Sequence, residues 1–184
     1  MALPDRQVVK MIIEKQEIVP ITHKEIALTK GVVAIVDNDD YNELVKHKWY
    51  AQLMGGCLYA ARSTRVGNKK PIITMARQIM DCPKGLQVDH KNHNTLDNRK
   101  CNLRNCTSQQ NTYNRRSSKS GTSKYKGVSW HKAAKKWYAA IIIDGQQISL
   151  GYFSKETEAA EAYDKKAGIL QKEFAWLNKD HFKW

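Results

Sequence analysis

Val88-Asp89-His90-Lys91-Asn92-His93-Asn94-Thr95-Leu96-Asp97-Asn98-Arg99, continued by Asn102-Leu103-Arg104 and by Ser108-Gln109-Gln110-Asn111-Thr112-Tyr113-Asn114-Arg115, is the stretch on which the fold turns. Leu86-Gln87-Val88 alternates after the turn signal Pro83-Lys84-Gly85, so Asp89 and His90 are expected to close a strand. Residues 92–99 carry almost no apolar side chain and read as loop, and residues 102–107 can return as a second short strand. Thr107 with Gln110 three residues on has capping-box spacing. A helix should open there, with Asn111 in its first turn and Asn114 and Arg115 on the same face. A hairpin packed on one helix brings Asp89, His90 and Asn111 near one point.

Phosphodiester hydrolysis suits those groups. A hard divalent cation takes oxygen ligands, and the Asp89 carboxylate with the Asn111 amide oxygen offers two while leaving room for phosphate and water. A neutral imidazole at His90 can accept the proton of an attacking water near neutral pH. Asn102 is expected to hold the other ring nitrogen and so fix the tautomer. His93, a second histidine in a polar loop, reads as solvated.

The segment resembles the HNH (ββα-metal) endonucleases in their His-Asn-Asn form, found in homing endonucleases of phages and mobile introns. The resemblance implies His90 as general base, Asn102 as the central Asn, and Asp89 with Asn111 as ligands of one Mg²⁺ or Mn²⁺. Members of the family often have Met-His-Arg where this chain has Met75-Ala76-Arg77, so a supporting phosphate contact is missing at Ala76.

The charge fits a polyanionic partner. Lys plus Arg number 31 against 18 Asp plus Glu, a net charge of +13, and the pI is near 9.6. No apolar run approaches the ~20 residues of a spanning helix and no signal-peptide pattern opens the chain, so a cytosolic location on host DNA is expected, with no membrane partner. Of the cysteines, Cys101 and Cys106 could form half a zinc site, but no second close pair completes it and Cys57 stands apart. Zinc is therefore not expected, and free buried thiols are.

Upstream, Val8-Val9 and Met11-Ile12-Ile13 fit a strand or a helix equally. Gly31-Val32-Val33-Ala34-Ile35-Val36 reads as a strand, and Asp37-Asn38-Asp39-Asp40 as the cap and acidic first turn of a helix burying Tyr41, Leu44 and Val45. Lys48-Trp49-Tyr50-Ala51-Gln52-Leu53 and Cys57-Leu58-Tyr59-Ala60-Ala61-Arg62 form two strands around Gly55-Gly56, and Pro71-Ile72-Ile73-Thr74-Met75 another.

Downstream, Arg115-Arg116-Ser117-Ser118-Lys119-Ser120-Gly121-Thr122-Ser123 has the composition of a basic linker, either an arm along phosphates or a solvated tether. Lys124-Tyr125-Lys126-Gly127-Val128-Ser129-Trp130, Lys136-Trp137-Tyr138-Ala139-Ala140-Ile141-Ile142-Ile143 and Gln147-Ile148-Ser149-Leu150-Gly151-Tyr152-Phe153 read as three strands, the last two joined by Asp144-Gly145. Ser154 can cap a helix over 155–170.

Residues 123–178 resemble the AP2 DNA-binding domain through Tyr125-Lys126-Gly127-Val128, Trp137, Ala139, Leu150-Gly151-Tyr152-Phe153, Ala159-Ala160, Ala162-Tyr163-Asp164, Ala167 and Asn178. The resemblance implies a sheet laid in the major groove, with DNA touched by Lys126, Ser129, Trp130, Lys132, Lys136 and Trp137. Arg115, Arg116 and Lys119 of the linker would add phosphate contacts. Ser129, Ala140 and Ile142 stand where the plant-type domain has Arg, Glu and Arg, so its target is not implied. Tyr163 and Trp176 read as core.

The expected class is α+β: a nuclease domain over 1–116, with a mixed α/β support region at 1–81 and the ββα-metal motif at 82–116. A linker at 117–123 and a three-stranded AP2-like domain with one helix at 124–184 follow. The expected function is a monomeric, metal-dependent, homing-type endonuclease that nicks double-stranded DNA, with no protein partner. The alternative is a non-cutting DNA-binding regulator built on a decayed nuclease.

Overall fold

A computed structural model describes residues 23–65, 67–68, 70–116 and 121–183. The apolar runs at 8–13 and Lys119 lie outside them. Within the described residues, β1 (His23–Ala27) pairs antiparallel with β2 (Val33–Asp37), and α1 (Asn38–Leu44) follows. The next sheet has the order β3 (Tyr50–Met54), β4 (Cys57–Ser63), β5 (Ile72–Thr74), and runs into α2 (Met75–Ile79). Gly55 and Gly56 both take positive φ, 57° and 83°, as the tight β3–β4 turn requires. Ile26, Ala34, Val36, Leu44, Trp49, Ala60 and Met75 form the core of this layer, and Tyr41 packs against it.

Two expectations fail here. Val45 is 45% exposed, because the helix ends at Leu44 and only Leu44 of its residues is buried. Asp37 occupies the N-cap position without capping. Its Oδ2 instead accepts from the backbone N–H of Lys100 at 2.7 Å, while Lys100 Nζ meets Asp40 at 2.7 Å. Those acids tie the support layer to the loop of the following hairpin. Ile35 adds to the tie, donating from its N–H to Leu96 O at 2.8 Å and accepting from Asn98 N–H at 2.7 Å.

That hairpin is β6 (Gln87–His90) with β7 (Leu103–Cys106), in a register that sets Asp89 opposite Arg104 and His90 opposite Leu103. α3 (Ser108–Tyr113) follows with the expected capping box: Gln110 N–H donates to Thr107 Oγ1 at 3.1 Å and Thr107 N–H to Gln110 Oε1 at 2.8 Å.

The last sheet has the order β10 (Gln146–Phe153), β9 (Lys136–Ile143), β8 (Val128–His131), and α4 (Glu156–Leu170) covers one face. The first strand starts at Val128 rather than Lys124. Gly127, at φ 74°, lies so close to the Tyr163 ring that a Cβ there would fall 2.0 Å from it. The cap of α4 falls on Lys155, not Ser154. Fully buried Asn178 staples the unit, donating to Asp164 Oδ1 at 2.9 Å and Lys126 O at 3.1 Å and accepting from Lys126 N–H at 2.7 Å. Tyr163 and Trp176 are core residues, as read from the sequence.

Candidate active site

Asp89 sits one residue before the end of β6, 5% exposed. Its Oδ2 accepts from Arg104 at 2.8 Å from Nε and 2.6 Å from Nη2, and Asn114 Nδ2 donates to both its oxygens at 2.9 and 3.1 Å. A carboxylate has about four lone-pair sites. These bonds fall mostly on Oδ2, which leaves Oδ1 with room for a further partner.

His90, also 5% exposed, has its Nε2 3.4 Å from Asn98 Oδ1. The same Asn98 donates from Nδ2 to Leu96 O at 3.1 Å, which fixes which end of the amide faces the ring. Nε2 is thus the protonated nitrogen by network logic, and Nδ1 carries the lone pair. Burial lowers the His90 pKa, against the raising effects of Asn98, Asp89 and Asp97. The Tyr59 ring stands edge-on at 6.1 Å.

Asn102 does not hold His90. Its Oδ1 accepts from Asn92 N–H at 2.9 Å and its Nδ2 donates to Asp97 O at 2.8 Å, so it closes the 92–102 loop on itself. Asp97, 2% exposed, accepts from Arg99 through both its oxygens at 2.8 Å each and from Asn92 Nδ2 at 2.9 Å. These internal polar bonds, with the ties from Ile35 and Asp37, hold the loop in shape with few apolar residues.

Asn111 donates from Nδ2 to Gln87 Oε1 at 2.8 Å, which turns its Oδ1 away from that contact. Asp89, His90, Asn111, Arg115 and Arg116 line one cleft of about 570 Å³ together with Tyr59 and His93. The donor set of one carboxylate and one amide oxygen fits a hard divalent cation that takes its remaining ligands from phosphate and water. No group of three or more His, Cys, Asp or Glu among the described residues is arranged to hold a metal. His93 departs from the solvated reading: it lines the cleft, its φ is 63°, and its Nε2 is buried without a partner among the described residues.

Ser129, Lys132 and Lys136 of the C-terminal part are exposed, and Trp130 is 38% exposed. Alternation along β9 puts Lys136, Tyr138 and Ile142 on the open face and Trp137, Ala139 and Ile141 on the α4 face. Trp137 therefore packs on the core, and Trp130 stacks edge-on against it at 5.1 Å. Lys126, read from the sequence as a DNA contact, is engaged within the protein. Its Nζ donates to Tyr113 O at 2.6 Å and Arg115 O at 2.8 Å, closing the end of α3, and burial lowers its pKa to about 8. Arg104, Asn98 and Asn114 were the site residues that sequence reasoning missed. The cross-strand pairing of opposite charges at 89 and 104 was the available signal.

Two cysteines depart from the buried reading: Cys57 and Cys101 are exposed, while Cys106 is buried and its thiol is pushed up to about 11 by burial and by Asp89. No helix of the described residues is long and apolar enough to cross a membrane.

An acid, an imidazole, an amide and two arginines thus line one cleft. Residues 81–113 match the HNH endonuclease family. The chain is 33% identical over 156 residues to "Uncharacterized HNH endonuclease L560" of Acanthamoeba polyphaga mimivirus, covering 83% of this chain and 78% of that one. It is 37% identical over 65 residues to "Protein 3.8" of Escherichia phage T7, which is 35% of this chain and 54% of that protein. No solved structure matches. The chain belongs to the HNH endonuclease family, and it is a DNA nuclease.

Proposed function

We propose that the chain is a divalent-metal-dependent, homing-type endonuclease that nicks one strand of duplex DNA through a ββα-metal site. The observation that carries this is the single cleft shared by Asp89, His90, Asn111, Arg115 and Arg116. Asp89 and Asn111 would hold one Mg²⁺ or Mn²⁺, which would supply stabilisation of charge on the scissile phosphate. His90 takes the proton of the attacking water at Nδ1, its Nε2–H held by Asn98. Arg115 and Arg116, exposed at the mouth of the cleft, grip flanking phosphates. One site in one chain cuts one strand per visit, so a monomer nicks.

The AP2-like sheet supplies recognition in this reading, working on DNA in the host cytosol. Its open face carries Ser129, Lys136, Tyr138, Gln147 and Tyr152, with Lys132 in the neighbouring turn. Tyr138 and Tyr152 lie 5.0 Å apart on that face. The reader and nuclease parts correspond to 124–184 and 1–116, joined through 117–123.

A second reading, a non-cutting regulator, is favoured by one observation. Ala76, 3% exposed, lines a cleft of about 440 Å³ beside His90 and Asn111, so the phosphate contact missing there is missing at the site itself. Supercoiled plasmid separates the two. Open circles that form with Mg²⁺ or Mn²⁺ and vanish with chelator support the nuclease, linear product with no open-circle stage contradicts single-strand nicking, and duplex binding without any cutting supports the regulator.

A further inference from the structure

We infer that Arg104 is a positioning residue through which the docked C-terminal segment controls the metal-ligand geometry of Asp89. The inference rests on the reading of Asp89 as a metal ligand.

The Arg104 guanidinium is shared three ways. Nε and Nη2 hold Asp89 Oδ2, Nη1 donates to the backbone oxygen of Glu173, and the whole fork lies 4.2 Å above the ring of Phe174. The two charged side chains are 13% and 6% exposed. Only a planar guanidinium can serve a carboxylate, a carbonyl and a ring face together, and a lysine cannot.

Glu173 and Phe174 belong to a one-turn 3₁₀ helix, Lys172–Phe174, just past the end of α4. That turn is itself anchored. Trp176 N–H donates to Tyr113 O at 3.3 Å at the end of α3, and Asn178 pins the next residues to α4 and to the lead into β8. Lys126 closes the same end of α3 from the reader side. The segment 172–178 is thus fixed to both the reader and the nuclease helix, and Arg104 carries its position to Asp89.

The consequence is a nuclease site that is complete only while the C-terminal segment is seated. Without Glu173 O and the Phe174 ring, Arg104 retains one of its three partners. Asp89 then keeps its bonds to an Arg104 no longer held in place from behind, with Asn114 as its other side-chain partner. Partners that orient a metal ligand commonly change affinity by about 10–100-fold when removed.

The test uses the full chain and two substitutions that keep the local charge. Arg104→Lys keeps the cation and loses the fork; Phe174→Leu keeps apolar volume and loses the ring face. Mn²⁺ binding to the DNA-free protein is read by calorimetry, and the melting temperature is read in chelator. Arg104→Lys is expected to weaken Mn²⁺ binding about 10-fold and Phe174→Leu about 3-fold, with the double variant no weaker than Arg104→Lys, since Phe174 acts through Arg104. Additive losses, or a Phe174→Leu protein that melts lower with wild-type Mn²⁺ affinity, would overturn the inference. If Phe174→Leu fails to fold, Arg104→Lys decides alone: unchanged Mn²⁺ affinity overturns the inference. Asp89→Ala separates the two levels. If it leaves Mn²⁺ binding intact, the ligand reading has failed and the inference with it; if it abolishes binding while Arg104→Lys does nothing, only the inference has failed.

Discussion

His90 Nε2 donates to Asn98 Oδ1 across 3.4 Å, while Asn102, the residue expected to do so, is turned into the loop. The two asparagines therefore have separable roles. Asn98→Ala should lower the nicking rate roughly 10-fold or more with duplex affinity kept, by freeing the tautomer of a base whose full loss costs about 10²-fold or more. Asn102→Ala should instead cost about 1–3 kcal/mol of stability, because it orphans the Asn92 N–H and the Asp97 carbonyl. Denaturant melts and single-turnover rates on both variants check this; a stable but inactive Asn102→Ala with a fully active Asn98→Ala would reverse the assignment.

The pH profile follows from burial of the same ring. The His90 pKa lies below 6.5, so the neutral, proton-accepting form persists to lower pH than for a free imidazole. The acid limb of log rate against pH should therefore bend below 6.5. Stability carries the matching sign: between the folded pKa and 6.5 the unfolded chain binds more protons, so stability falls as pH drops through that window. An acid inflection above 6.5 in the rate profile would contradict the assignment.

Thiol chemistry reads the hairpin from its other side. Cys57 and Cys101 are exposed, whereas Cys106 is buried, raised to about 11, and donates weakly to Gln87 O at 3.6 Å. Alkylation at pH 8 followed by peptide mapping should label Cys57 and Cys101 in the native protein and Cys106 only after denaturation. Early labelling of Cys106 would mean that β6–β7 opens far more readily than its packing implies.

The salt dependence of DNA binding separates two lysines that look alike in sequence. Every phosphate that is no longer neutralised should reduce the slope of log affinity against log salt by about 0.9. Lys136→Ala, on the open sheet face, should do so. Lys126→Met should leave the slope unchanged and lower the melting temperature, because its ammonium caps α3. A shallower slope for Lys126→Met would return that residue to the DNA interface.

The hairpin and helix around the site were legible because the signals are local: alternation before Asp89, the polar loop, and a Thr107–Gln110 box that needs only adjacent residues. The Asp144-Gly145 turn is of the same kind, with φ of 52° and 76°. What escaped was set by distant parts of the chain. Which asparagine reaches His90 depends on how Ile35 of β2 pins the loop at Leu96 and Asn98. Lys126 is basic and sits in an acid-free run, yet its ammonium reaches back to the carbonyls of Tyr113 and Arg115. The Arg104 fork reaches Glu173 and Phe174, far along the chain, which no local pattern marks.

The central claim is that His90 activates water in a metal-dependent cut. Single-turnover nicking of supercoiled plasmid by wild type and His90→Ala, at saturating Mg²⁺ or Mn²⁺ and equal duplex occupancy, tests it most directly. The account predicts chelator-sensitive nicking by the wild type and a rate reduced by at least about 10²-fold for His90→Ala, with DNA affinity unchanged. Near-normal nicking by His90→Ala, or nicking by the wild type that survives chelator, would contradict it.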